Sequence, residues 1–144
     1  MASRGEIYKY GHKEIQSYSC SSLDSVSIIE KRLKNLKEDT GINSYLTGFS
    51  AGVRYAPVVR YNRVHVYIAS EDIQEAISYL DLKEVSSGSN VVIFPLENDS
   101  YIKDYRVING DVAVSPLQVY LDCMQIKGRG EEMAEAVKRK EIIK

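Results

Sequence analysis

Apolar residues recur along this chain with two periods, steps of three and four that mark helices and alternation that marks strands. Over residues 24–39, Val26, Ile29, Leu33 and Leu36 fall on one helical face. Asp24 or Ser22 is placed to cap that helix, and Gly41 stops it. Over residues 63–69, Val64, Val66 and Ile68 alternate with His65 and Tyr67, which predicts a half-buried strand with His65 at its surface or rim. Val91, Val92, Ile93 and Phe94 form an unbroken apolar run, the pattern of a central strand covered on both faces.

The remaining segments fill in around these. Residues 42–46 predict a short strand, and the small residues at 47–52 a helix start with Thr47 or Ser50 as cap, ended by Pro57. Ser70 caps a short helix over 71–79. Residues 82–85 and 90–95 predict strands joined by a hairpin-like turn at Gly88. Asn109-Gly110 predicts a tight hairpin between residues 105–108 and 112–114. Ile7, Tyr8 and Tyr10 suit a short strand, and the serines at 17, 19, 21 and 22 an exposed connection.

Residues 114–136 organise the rest. Ser115 is an N-cap type and Pro116 suits the first helical position, where a missing N–H costs nothing. Leu117, Tyr120, Leu121 and Met124 then repeat at i, i+3, i+4 and i+7, so these four are expected in the core. Gly128 and Gly130 end that helix. Glu131 and Glu132 open the next near its positive dipole end, Lys138, Arg139 and Lys140 lie toward its negative end, and Met133, Ala134 and Val137 form its inner stripe. The fold class expected is α+β: a small mixed sheet flanked by helices with a C-terminal helical hairpin. One domain is expected over 23–144, with 1–22 a poorly ordered or short-strand lead-in.

Composition changes this picture little. The 144 residues are 44% apolar and 27% charged with a net charge of -1, so no overall basicity asks for nucleic acid or an anionic membrane. No apolar run approaches the roughly 18 residues of a membrane span, and a cytoplasmic protein without membrane contact is expected. Cys20 and Cys123 are far apart and read as reduced thiols. Eleven tyrosines beside two phenylalanines and no tryptophan make tyrosine the main aromatic packing residue, with hydroxyls that need partners.

Candidate chemistry is sparse. His12, His65, Cys20 and Cys123 lack metal-ligand spacing. Asp81-Leu82-Lys83 with Asp72, and Gln125-Ile126-Lys127 with Asp111, fit the acid and acid-x-lysine set of a PD-(D/E)xK metal-dependent nuclease, though charged chains produce such tripeptides by chance. Arg54, Arg60 and Arg63 interleave with Tyr55 and Tyr61, a pattern for gripping phosphates and stacking bases, or for arginines stacked on tyrosines along a loop. Lys31, Arg32, Lys34 and Lys37 lie off the first helix's apolar stripe and form a solvated face, with Glu30 and Lys34 as an i,i+4 pair.

Three further stretches carry a resemblance: Thr47-Gly48-Phe49-Ser50-Ala51, Arg63-Val64-His65-Val66-Tyr67-Ile68 and Gly88-Ser89-Asn90-Val91-Val92. The most specific stretch is Val114-Ser115-Pro116-Leu117-Gln118-Val119-Tyr120-Leu121-Asp122, followed by Gly128-Arg129-Gly130-Glu131-Glu132-Met133-Ala134. From about Thr40 to Val137 the chain resembles the AbiEi-type antitoxins and transcriptional regulators of bacterial type IV toxin–antitoxin systems. The resemblance implies a non-enzymatic regulator without cofactor or metal. Its functional link would be to a nucleotidyltransferase-like toxin, and operator DNA would be bound through an N-terminal winged helix. Too few residues precede the 24–39 helix for such a domain, so the C-terminal module is expected here, with its oligomeric state open. Asp122, Arg129, Glu131 and Glu132 are the candidate functional surface, with capping, an ion pair and dipole compensation as their plainer roles. Arg54, Arg60 and Arg63 are the candidate nucleic-acid contacts.

Overall fold

The computed structural model of the protein describes residues 7–10, 13–97 and 102–143. Strands β1 (Ile7–Tyr10) and β2 (Lys13–Gln16) form an antiparallel hairpin. The other seven strands form one mixed sheet: β3 (Tyr18–Ser21), β4 (Ser44–Thr47), β5 (Val64–Ala69), β6 (Lys83–Glu84), β7 (Val91–Leu96), β8 (Arg106–Ile108) and β9 (Asp111–Ala113). Their order is β6-β3-β7-β5-β4-β9-β8. The helices are α1 (Val26–Thr40), α2 (Gly48–Tyr55), α3 (Ile73–Tyr79), α4 (Pro116–Cys123) and α5 (Gly130–Val137). The expected α+β class, with a mixed sheet among helices, is the observed one.

The centre of the sheet follows the apolar pattern. β5 and β7 run parallel, in register from Val64–Val91 to Ala69–Leu96. Both are buried along almost their whole length, as the run at 91–94 predicts. The alternating half of β5 is a correction. His65 and Tyr67 do not face water; α2 packs over that side, α4 reaches it through Asp122, and His65 is 0% exposed. The polar residues of β5 are interior because a second helical layer supplies partners for them.

The N-terminal part also departs from expectation. The serine-rich segment is no exposed connection: β3 is an inner strand with Ser17, Ser19 and Cys20 buried. It lies between β6 and β7, which therefore do not pair as a hairpin. Serine is small enough to sit beneath a packed layer, so its turn propensity yields to tertiary pairing.

Local signals hold at several ends. Gly41 takes φ 79° and its N–H bonds to the Lys37 carbonyl, closing α1. Asn109 and Gly110 both have positive φ, 52° and 85°, as a two-residue β8–β9 hairpin requires. Ser115 Oγ accepts from the Gln118 N–H at 3.2 Å ahead of Pro116. Three other caps are corrections. α1 begins after Ser25 without a side-chain cap, while the Asp24 carboxylate pairs with Arg32. Thr47 and Ser50 do not cap α2. Ser70 Oγ donates to the Leu96 carbonyl rather than capping a helix.

The C-terminal helices carry the largest correction. On α4 the buried residues are Pro116, Val119, Asp122 and Cys123. Leu117, Leu121 and Met124 are 57%, 38% and 39% exposed, and Tyr120 is half-buried. The helix forms where the pattern predicts but is turned to its other side. Gly130 belongs to α5 rather than to the end of α4, and a Cβ there would lie 2.3 Å from the Cys123 carbonyl oxygen. That close approach seats α5 against α4. Met133, Ala134 and Val137 are buried as expected.

Candidate functional site

The fold brings α2, α4 and the β4–β5 pair to one junction, where the family-like segments meet. β4 delivers Thr47 and β5 delivers Tyr67 to the same side of the sheet. The α4 rotation puts Asp122 over both. Thr47 Oγ1 donates to Asp122 Oδ2 at 2.5 Å and Tyr67 Oη to the same oxygen at 2.7 Å. Gln118, one turn earlier on α4, donates from Nε2 to Oδ1 at 2.8 Å. A carboxylate with three donors is a satisfied buried group rather than an open one. Burial still dominates and raises its pKa to about 6, against the lowering effect of the three hydrogen bonds. Asp122 is 8% exposed and not a surface residue, a correction to its expected placement.

Around this network the packing is tight. Gly48 has φ 57°, and a Cβ there would lie 2.9 Å from the His65 ring. His65 lies against Phe49 and Phe94, and Phe94 against Tyr67. Burial, with Arg63 adding to it, lowers the His65 pKa to about 3, so the ring is neutral. Gly52 allows Met133 of α5 to come where a Cβ would be 2.6 Å away. The small residues at the start of α2 serve this close approach. Tyr55 Oη donates to the Val114 carbonyl at 2.8 Å, tying α2 to the chain entering α4.

A second cluster lies at the other end of α2. Arg54 donates to Asp111 Oδ2 from Nε at 3.1 Å and from Nη2 at 3.0 Å, and to Glu30 at 3.2 Å. Tyr61 Oη donates to the other oxygen of Glu30 at 2.7 Å, and Lys34 lies 3.4 Å from Asp111. Glu30 and Lys34 therefore pair with other elements and not with each other. This cluster borders a groove of about 510 Å³ between α1 and the β8–β9 hairpin.

The seven candidate residues are not gathered into one place. Arg54 sits in the ion-pair cluster, Arg60 is exposed and Arg63 is half-buried. The cation–π contact at Tyr55 comes from Arg106, not from a neighbouring arginine of the loop. Arg129 and Glu132 form an exposed pair at 2.6 Å, and Glu131 is exposed in the first turn of α5. Sequence reasoning missed Thr47, Tyr67 and Gln118 as partners of Asp122. Gln118 and Asp122 are four apart on one helix, the one signal that was available.

The nuclease tripeptides do not assemble. Asp81 is a turn residue with φ 54°, and Lys83 lies exposed in the edge strand β6. Asp111 is held by Arg54 and Lys34, while Gln125 and Lys127 are exposed between α4 and α5. Among the described residues no group of three or more His, Cys, Asp or Glu side chains is arranged to hold a metal ion. Cys20 and Cys123 are free and buried, and burial pushes each thiol up to about 12. No helix among the described residues is long and apolar enough to cross a membrane.

A seven-stranded mixed sheet with helices packed against it, tied in places by side-chain hydrogen bonds from strand to helix, defines an α+β protein. Residues 13–143 match the family described as transcriptional regulator, AbiEi antitoxin, type IV TA system, and the chain belongs to that family. The match takes in β2 and β3, ahead of the segments that carry the resemblance. No curated protein and no solved structure gives a significant match.

Proposed function

We propose that this chain is the regulatory module of a type IV antitoxin and acts by binding, without catalysis, in the cytoplasm. The observation that carries this reading is the family match over 13–143. The geometry supports it at three of the groups that chemistry could draw on. Asp122 accepts three hydrogen bonds, Asp111 pairs with Arg54 and Lys34, and His65 is neutral in the core. The module is one domain that includes β3, since that strand lies inside the sheet.

Its functional link is to a nucleotidyltransferase-like toxin. Any phosphate contact made by this region itself uses the exposed Arg60 rather than Arg54, which is held by two carboxylates. Arg129, Glu131 and Glu132 stay in the candidate surface because they are exposed on α5 and the turn before it.

The deciding experiment is growth rescue: the chain is expressed together with the nucleotidyltransferase-like toxin encoded beside it. Rescue by the parent, retained in Asp111→Asn and Lys83→Ala, fits neutralisation without catalysis. Loss of rescue in both variants, with folding intact, contradicts it. A gel shift on the DNA upstream of the operon tests the DNA arm. Binding by this chain should fall steeply with salt and weaken in an Arg60→Ala variant.

A further inference from the structure

The shortest ladder in the seven-stranded sheet joins the β8–β9 hairpin to the rest. β5 and β7 share six residue pairs, and β4 and β5 share four. Among the described residues β9 meets β4 at one pair, Leu46–Ala113. The Val114 N–H then donates to the Leu46 carbonyl at 2.9 Å. β8 is the last strand of the sheet, and its Val107 is 62% exposed. The groove of about 510 Å³ lies beside that one pair. Ser44, Leu46, Asp111 and Val112 line it from the two strands, and Leu33 and Lys37 line it from α1.

With so little ladder, side chains hold the hairpin down. Asp111 accepts from Arg54 Nε at 3.1 Å and Nη2 at 3.0 Å, and Lys34 lies 3.4 Å away. The Arg54 and Asp111 side chains are 17% and 19% exposed, so solvent and salt screen this pair less than a surface one. Arg54 does not depend on the hairpin for its place. Its Nη1 donates to the Ser50 carbonyl at 2.6 Å and its Nη2 to Glu30 at 3.2 Å, while Tyr61 holds the other oxygen of Glu30. When Asp111 withdraws it enters water, and Arg54 keeps a carboxylate. No buried charge is stranded, which is what makes breaking other buried pairs so costly. The second tie, Arg106 to Glu141, involves an exposed arginine and contributes less.

We propose that the β8–β9 hairpin is a latched flap over this groove, with Ala113 at its root and Asp111 as its latch. It opens as a unit while β5 and β7 stay paired, gives access to Leu33 and Leu46, and closes again onto a preset Arg54. Short edge strands with few buried contacts are the elements that open locally.

Hydrogen exchange on the 144-residue chain, read over residues 105–112 against 64–69 and 91–96, tests this. Hairpin amides should exchange at least about 100-fold faster than those of β5 and β7. Asp111→Asn removes the charge and keeps the size. It should speed the hairpin about tenfold more and leave β5 and β7 unchanged. Arg106→Ala should have the smaller effect. Hairpin amides that exchange in step with β5 and β7 overturn the proposal. So does an Asp111→Asn variant that speeds all three strands equally, since Asp111 would then support the whole fold. A larger effect from Arg106→Ala overturns Asp111 as the latch. Should Asp111→Asn fail to fold, Lys34→Ala decides. It removes the outer partner of Asp111 and should speed the hairpin alone; an unchanged hairpin overturns the idea.

Discussion

Two helices with nearly the same apolar spacing end up oriented oppositely. α1 places Ile29, Leu33 and Leu36 in the core and its lysines in water. α4 places Asp122 and Cys123 inside and Leu117, Leu121 and Met124 outside. The difference lies in what each helix meets. The core-facing stripe of α1 meets an apolar interior. α4 crosses the side of the sheet that carries Thr47, His65 and Tyr67. Hydroxyls there need an acceptor, and an unpaired buried hydroxyl costs about 1–3 kcal/mol. Turning Asp122 inward satisfies two of them at once. Periodicity states that a helix has a face; the chemistry of its neighbour decides which face is buried.

The largest effect should come from α1. Leu36→Ala, at a fully buried site, is expected to cost about 2–5 kcal/mol in urea unfolding, with a matching fall in Tm. A loss under about 1 kcal/mol would remove the contrast between the helices.

The buried carboxyl comes next. Asp122 holds its proton to about pH 6 when folded and to near the ordinary 3.8 when unfolded. Its contribution is therefore full below about pH 4 and declines as pH rises through 6, by up to about 3 kcal/mol from a shift of roughly two units. His65 runs the other way. Its folded pKa is near 3 against 6.5 unfolded, so its contribution is present above 6.5 and lost as pH falls toward 3. The two slopes oppose each other between about pH 4 and 6. Asp122→Asn removes one of them, so it should lose stability on acidification more steeply than the parent. Parallel pH–stability curves would mean that Asp122 is solvated.

Gly130→Ala should cost about 1–3 kcal/mol, because its Cβ meets the backbone of α4 rather than a yielding side chain. The smallest effect belongs to Leu121→Ala, expected within about 1 kcal/mol at low protein concentration. A cost near that of Leu36→Ala would restore the orientation that the spacing alone predicts.

Much of the fold was legible. α1 and its glycine stop, the Asn109-Gly110 hairpin, the Ser115-Pro116 helix start, the α5 stripe and the β7 run all rest on interactions within a few residues. What was not legible depends on distant partners. β3 reads as a serine loop because its strand character comes from β6 and β7 on either side. His65 reads as a rim residue because nothing local shows that α2 and α4 close over it. Tyrosine was correctly expected to need hydroxyl partners, and Tyr55, Tyr61 and Tyr67 have them, but the partners are 31 to 59 residues away. Arg54 reads as a phosphate ligand until Glu30 and Asp111 arrive from α1 and β9.

The orientation of α4 is tested most directly by following the Asp122 carboxyl carbon through a pH titration by NMR. Desolvation by burial, only partly offset by the three hydrogen bonds that lower it, predicts a midpoint near pH 6. A midpoint at the ordinary value of about 3.8 would place this carboxylate in water and return Leu117, Leu121 and Met124 to the interior.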